Sequence, residues 1–294
     1  ELDVQRTGVN LLATLDRRPE PYHQRILNHL NPDAANAEDD QFLAAISDTV
    51  KLKQPGLDRK LVIDHSPHKS LVDHFLRPQL SQEEFRRGEG GIGDFVTGTY
   101  EASIRRGDTR IAVEMRRRGT VGGLEGELRK VVILSADHPN EILIHYQVTG
   151  FPTDVPLHLG VELNFAAMPG GADDRYFYDH GGARLGTLDK SLSLNQAERL
   201  SLVDEWLGMD VTLEMSHSGG IWTMPVETVS QSEGGFEAVQ QSVCVIPHWE
   251  FTIPANGTWS VELRMIIDTS MASARQLAKQ TESAAERPVA GTVR

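Results

Sequence analysis

The chain is almost without cysteine. Its one thiol, Cys244, excludes an internal disulfide framework and suits a reducing cytoplasm, which is the expected location. No apolar run approaches the roughly 18 residues that a membrane-spanning helix needs, and the visible start lacks a basic segment followed by an apolar core. No membrane partner is expected. Positive charge is also short: 29 Lys and Arg stand against 42 Asp and Glu, a net charge of −13. Long-range attraction to a phosphate backbone is therefore excluded, and with it nucleic acid as a partner. The sequence holds no Walker A lysine, no H-E-x-x-H and no G-x-S-x-G nucleophile elbow, so those enzyme classes and their metals or cofactors are not supported. It begins at Glu1 rather than at a methionine, as expected of a piece of a longer protein.

What is present is an ordinary globular composition, 39% hydrophobic and 24% charged over 294 residues, enough for a well-buried core. Two periodicities divide it. After Pro19 and Pro21, the residues Tyr22, Ile26, Leu27 and Leu30 recur at helical spacing. A solvated loop is expected over Asn31–Asp40 and a second short helix over Gln41–Lys51. Beyond Gly88 the period becomes two, in Ile111, Val113, Met115; Leu128, Lys130, Val132, Leu134; Ile142, Ile144, Tyr146, Val148; and Val161, Leu163, Phe165. Glycine, proline and asparagine punctuate these runs, so ten or more mostly sequential strands predict antiparallel pairing in a mainly β sandwich. The expected division is a helical or irregular lead-in over 1–80, an antiparallel sandwich over 81–269, and a flexible tail over 270–294 whose residues Ala272–Lys279 are partly helical.

Gly88, Gly90 and Gly93 formally match G-x-G-x-x-G. A dinucleotide fingerprint must follow a strand and open a helix, whereas here the polar segment Ser81–Arg87 precedes the glycines and the strand-like Asp94–Ile104 follows. They read as a flexible lead into a strand. The densest ionisable cluster is Asp64, His65, His68, Asp73 and His74, whose nitrogens and oxygens suit zinc or manganese. Its spacing matches no closed metal site. The preferred reading is structural: Leu61–Ile63 as a short buried strand, and Leu71, Val72, Phe75 and Leu76 as the apolar face of a turn or helix. Arg116–Arg118 reads as a solvated hairpin end.

Four segments carry a family resemblance. WTMPVETVSQSEGGFEAVQQ at 222–241, KQPGLDRKLVIDHSPHKSLVDHFL at 53–76, LLATLDRRPEPYHQRIL at 11–27 and Val161-Glu162-Leu163-Asn164 stand in the order found in the C-terminal β-sandwich of glycoside hydrolase family 57 α-amylases and 4-α-glucanotransferases. This chain departs from the family at Ile63-Asp64, where an aromatic is common, and at Pro67-His68-Lys69, where arginines are common. The resemblance implies a galactose-mutarotase-like supersandwich that follows a catalytic barrel. It also implies that the two catalytic carboxylates lie in that barrel, so no catalytic residue is carried onto this numbering. The implied partners are the N-terminal catalytic barrel and an α-glucan or maltooligosaccharide.

Sugar sites combine an aromatic platform with planar polar groups. Trp222, Trp249 and Trp259 are each in phase with an apolar face and are expected in the core. Trp206, beside Glu205 and just before Gly208, is the expected exposed platform. Glu162 and Asn164 share the face opposite Val161, Leu163 and Phe165, and His74 is a further candidate contact. Glu227 and Glu233, with Ser230 and Ser232, either line a sugar pocket, embrace the barrel or satisfy backbone groups. A second reading makes the sandwich an aldose epimerase-like enzyme, with Glu162 paired to His74, His158 or His180 around one anomeric centre. A short Glu–His separation on an open concave face favours it, and burial of that face against a helix excludes it. A domain cut from its barrel is also expected to expose an apolar patch.

Overall fold

Period-two alternation builds long antiparallel strands, and two layers of them bury most of the apolar residues in a computed structural model that describes residues 2–30, 51–166, 168–275 and 277. The strands are β1 (Asp3–Val4), β2 (Val9–Asn10), β3 (Val72–Leu76), β4 (Glu101–Arg106), β5 (Arg110–Val121), β6 (Leu124–Ser135), β7 (His138–Thr149), β8 (Leu157–Ala166), β9 (Arg175–Tyr178), β10 (Arg184–Thr187), β11 (Leu192–Asp204), β12 (Met209–Ser232), β13 (Gly235–Phe251) and β14 (Thr258–Asp268). Helices α1 (Pro21–Leu30) and α2 (Gln82–Arg86) accompany them. The main sheet runs β10-β9-β11-β12-β14-β7-β6-β5-β4, and from β12 a second run continues through β13 and β8 to β3.

β12 is the joint between the layers. Its first part, Asp210–Met215, pairs with β14, and its second, Gly220–Ser232, pairs with β13. The changeover passes through Gly219 and Gly220, where β13 lies too close for any side chain. A Cβ on Gly219 would sit 2.6 Å from the His248 carbonyl oxygen, and one on Gly220 would sit 2.2 Å from His248 Nε2. Glycine lets the backbones approach there.

The main core holds Leu159, Val161, Leu163 and Phe165 of β8 with Val243, Val245 and Trp249 of β13, packed with Ile144, Tyr146 and Val148 of β7 and Val261 and Leu263 of β14. The other face of β8 is covered as well. There Trp222, Met224, Val226, Cys244 and Ile246 form a second cluster, with Leu15 of the lead-in and Phe85 of α2 packed against it. α2 is short but closed by a capping box, in which Ser81 and Glu84 each satisfy the other's backbone N–H. α1 begins at Pro21, as the proline signal requires. Its Ile26 packs with Leu57, Val229 and Phe236, and the Tyr22 hydroxyl donates to the Val229 carbonyl at 2.9 Å.

Several expectations are corrected. Leu61–Ile63 is not a buried strand: Val62 and Ile63 are 38% and 51% exposed, because a 3-10 turn at Asp58–Lys60 carries the chain over the surface after Leu57 is buried. Val72, Phe75 and Leu76 belong to no turn or helix but to β3, which pairs with β8 in the register Val72↔Glu162. The segment from Asp94 becomes a strand only at Glu101, since the Asp94 carboxylate accepts from the Thr120 amide at 2.9 Å and from Arg117 at 2.8 Å, which bends the chain. Arg117 is thereby drawn out of solvent, while Arg116 and Arg118 stay exposed. The loop over Asn31–Asp40 and the helix over Gln41–Lys51 lie outside the described residues, apart from Lys51. Of the tail, residues 270–275 are helical, and the rest, Leu277 apart, lies outside them. Among the described residues no helix is long and apolar enough to cross a membrane.

Candidate functional site

Strand pairing between β3 and β8 sets Val72 beside Glu162 and His74 beside Gly160, so His74 stands one step along the same face as Glu162. The two meet, His74 Nε2 to Glu162 Oε2, at 2.7 Å. His68, just before β3, donates from Nδ1 to Glu162 Oε1 at 2.6 Å and from Nε2 to Asp64 Oδ1 at 3.1 Å. Asn164 Nδ2 also donates to Glu162 Oε1, at 2.6 Å. Asp64 is in turn gripped by Arg17 through its amide and guanidinium, the shortest contact being 2.6 Å. The result is a continuous chain, Arg17–Asp64–His68–Glu162–His74, lying over the outer face of β8.

Its electrostatics follow from alternating charge. Burial opposes the charged form of His68, but hydrogen bonds to Asp64 and Glu162 outweigh it and raise the imidazole to about 9. With a carboxylate on each nitrogen, the ring is an imidazolium that donates from both sides. Burial likewise opposes ionisation of Glu162, yet His68 and His74 hold it down at about 2. Both Glu162 oxygens are occupied, and the residue is 4% exposed. Phe85 closes over His74 with ring centroids 5.1 Å apart and over Trp222 at 5.6 Å. A carboxylate so weakly basic and so fully engaged is a poor proton acceptor for a sugar hydroxyl.

The other histidines considered for pairing go elsewhere. His158 is buried; its Nδ1 donates to the Arg77 carbonyl at 3.2 Å, and its Nε2 accepts from His248 Nδ1 at 2.9 Å. Burial, and then the neighbouring His158, push His248 down to about 3. His180 is exposed in the turn between β9 and β10. Asp73 faces the opposite side of β3 from His74, into the main core, where Lys130 Nζ meets it at 2.6 Å. His65 is exposed. Among the described residues no group of three or more His, Cys, Asp and Glu side chains is arranged to hold a metal ion.

Glu227 and Glu233 do not join this network. Glu227 accepts from Lys60 Nζ at 2.6 Å, and its carbonyl accepts from Arg17 at 3.2 Å, so it ties the lead-in to β12. Glu233 is exposed in the turn that joins β12 to β13, where the Ser232 hydroxyl closes the hairpin onto the Gly235 carbonyl at 3.0 Å. Trp222 and Trp249 are buried and Trp259 is half-buried against the core. Trp206 is 74% exposed, on the turn between β11 and β12. Sequence reasoning overlooked Tyr176 and Tyr178, which flank the fully buried Phe177 on β9. The alternation in Arg-Tyr-Phe-Tyr carried that signal.

The C-terminal family of alpha-amylase/4-alpha-glucanotransferase matches residues 1–263. A 4-alpha-glucanotransferase of Thermococcus kodakarensis is 28% identical over 245 residues, 83% of this chain and 32% of that protein. An alpha-amylase of Pyrococcus abyssi is 24% identical over 264 residues, 90% of this chain and 35% of its own length. The crystal structure of the 4-alpha-glucanotransferase from Thermococcus litoralis superposes with a TM-score of 0.65 at 20% identity, covering 90% of this chain and 35% of that one. The chain thus spans about a third of the length of these relatives. By the match over residues 1–263, it belongs to the alpha-amylase/4-alpha-glucanotransferase C-terminal family.

Proposed function

We propose that this chain is a non-catalytic domain of an α-glucan-processing amylase or glucanotransferase, and that it supports the catalytic barrel of its parent and holds α-glucan. The observation that carries the reading is the state of Glu162. Its two oxygens are filled by His68, His74 and Asn164, so the carboxylate serves to bind the lead-in to the sheet. The supporting role draws on an apolar row at the end of the main sheet. Ile111 lies beside Leu134 in register, next to the edge strand that carries Ile104, and the three are 43%, 46% and 59% exposed. An uncovered apolar row of this kind suits contact with another domain. The proposed location is the cytoplasm, in keeping with the single buried thiol.

One observation favours the epimerase-like alternative, the 2.7 Å separation of Glu162 and His74. The burial of Glu162, at 4% exposure, and the packing of Phe85 on His74 oppose it, because a general base must reach the sugar hydroxyl. Two assays decide between the readings. Calorimetry with maltoheptaose and soluble glycogen should give saturable heat, and polarimetry of α-D-glucose should show no acceleration of anomer exchange. Acceleration abolished by Glu162→Gln would establish the alternative instead.

A further inference from the structure

Toward the opposite end of the main sheet, away from the Ile104 edge, a cleft of about 330 Å³ opens between the β9–β10 hairpin and the start of the helical turn at 270–275. Its size is within the range of small-ligand sites. Tyr176 and Tyr178 stand on one side because Phe177 between them points into the core. Asp210 of β12 and Asp268 of β14 are directly paired in register and stand on the other side. The Tyr178 hydroxyl donates to Asp210 Oδ2 at 2.6 Å, and the Tyr176 hydroxyl donates to Glu205 Oε1 at 3.1 Å. Val203 and Met271 supply apolar wall.

The lip of this cleft is rigid. Between Glu205 and Gly208, both of which line it, the turn is fixed by the Gly208 amide on the Asp204 carbonyl at 2.9 Å and the Leu207 amide on Asp204 Oδ1 at 2.9 Å. Arg275 Nη1 adds a bond to the Trp206 carbonyl at 2.8 Å. The backbone of Trp206 is therefore held while its indole stays in solvent, which is the condition for a pre-formed stacking platform.

We propose that this cleft, with Tyr176, Tyr178, Glu205, Asp210 and Asp268 in its walls and Trp206 at its lip, binds a segment of α-1,4-linked glucan. The inference rests on the glucan-holding reading above and gives it a location. A neutral polyol fits the donor and acceptor balance. Each tyrosine hydroxyl spends its proton on a carboxylate and keeps lone pairs, and the carboxylates are acceptors only, so the cleft offers acceptors to a ligand rich in O–H donors. Burial and then the facing Asp268 raise the Asp210 carboxyl above its ordinary range, a cost that incoming hydroxyl donors reduce and an anionic ligand would increase. Apolar wall and a free indole match the C–H faces of pyranose rings.

The test is calorimetric titration of the whole chain with maltoheptaose, repeated with Tyr178→Phe, Asp210→Asn and Trp206→Ala, each checked for folding by circular dichroism. Loss of a ligand hydrogen bond, to the Tyr178 oxygen or the Asp210 carboxylate, or of the stacking platform should weaken binding about tenfold in each variant. Tyr178→Phe preserves the ring and decides the matter if Asp210→Asn does not fold. Saturable binding unchanged in all three variants overturns the cleft as the site and leaves the glucan-holding reading standing. No heat from the parent protein overturns both. Calcium chloride alone giving saturable heat that Asp210→Asn removes, with none from maltoheptaose, makes the cleft a cation site and overturns the proposal.

Discussion

Lys130 of β6 crosses the interior of the sandwich to Asp73 of β3, Nζ to Oδ2 at 2.6 Å, with side chains 5% and 0% exposed. Lys130 also donates to the Leu71 carbonyl at 2.6 Å and lies 4.4 Å from the centre of the Tyr100 ring, whose hydroxyl donates to the same Asp73 oxygen. The pair thus links the two layers at β3, the last strand of its run.

Removing one member strands the other charge in the core. Lys130→Met should destabilise the protein by about 3–5 kcal/mol, whereas Lys130→Met combined with Asp73→Leu should recover most of that loss. Urea denaturation of the single and double variants measures it. Additive losses would show that the two residues act independently.

Stability should peak near pH 6.5. His68 is raised from 6.5 to about 9, so its contribution is complete below 6.5 and is lost as pH rises through 9. His248 is lowered from 6.5 to about 3, so its neutral burial is favourable above 6.5 and costs progressively more as pH falls toward 3. Glu162, lowered from 4.5 to about 2, adds a second acid loss below 4.5. Melting temperature against pH should therefore fall on both sides, and His68→Gln should flatten the alkaline arm and, by removing one of the bonds that hold Glu162 down, soften the acid loss below 4.5 as well. An unchanged alkaline arm in that variant would refute the assignment.

The joint in β12 tolerates no side chain. Gly219→Ala places a methyl against the backbone oxygen of His248, and such overpacking costs about 1–3 kcal/mol. Gly257→Ala is the comparison: nothing lies within 4 Å of its Cβ position, and its cost comes from φ +76° alone. Thermal unfolding of the two variants separates contact from conformation. Equal losses would mean that close approach at the joint is unimportant.

Trp206→Ala should leave stability within about 0.5 kcal/mol, since the indole is 74% exposed. Trp222→Ala, in the sealed cluster beside Phe85, should cost about 3–5 kcal/mol. Denaturant midpoints for both variants test the contrast. A large loss at Trp206 would indicate a packing role and remove it as a free platform.

The alternation from Ile111 to Phe165 determined by itself that this chain is mainly β and antiparallel, because side chains on successive strand positions must face opposite ways. Pro21 marked the start of α1 for an equally local reason, and the isolation of Trp206 beside a glycine turn marked it as exposed. Long-range pairing decided the rest. Asp73 and His74 look alike in sequence, yet adjacent positions on β3 send one to Lys130 in the core and the other to Glu162 on the outer face. Glu162 and Asn164 share one polar face of β8 in the sequence, but His68, Lys69, Ser70 and His74, distant in sequence, cover and bond it. The meeting of His68 with Glu162, and of Tyr178 with Asp210, depends on register between strands far apart along the chain. Local periodicity fixes which way a residue points; only the packed sheets fix what stands opposite.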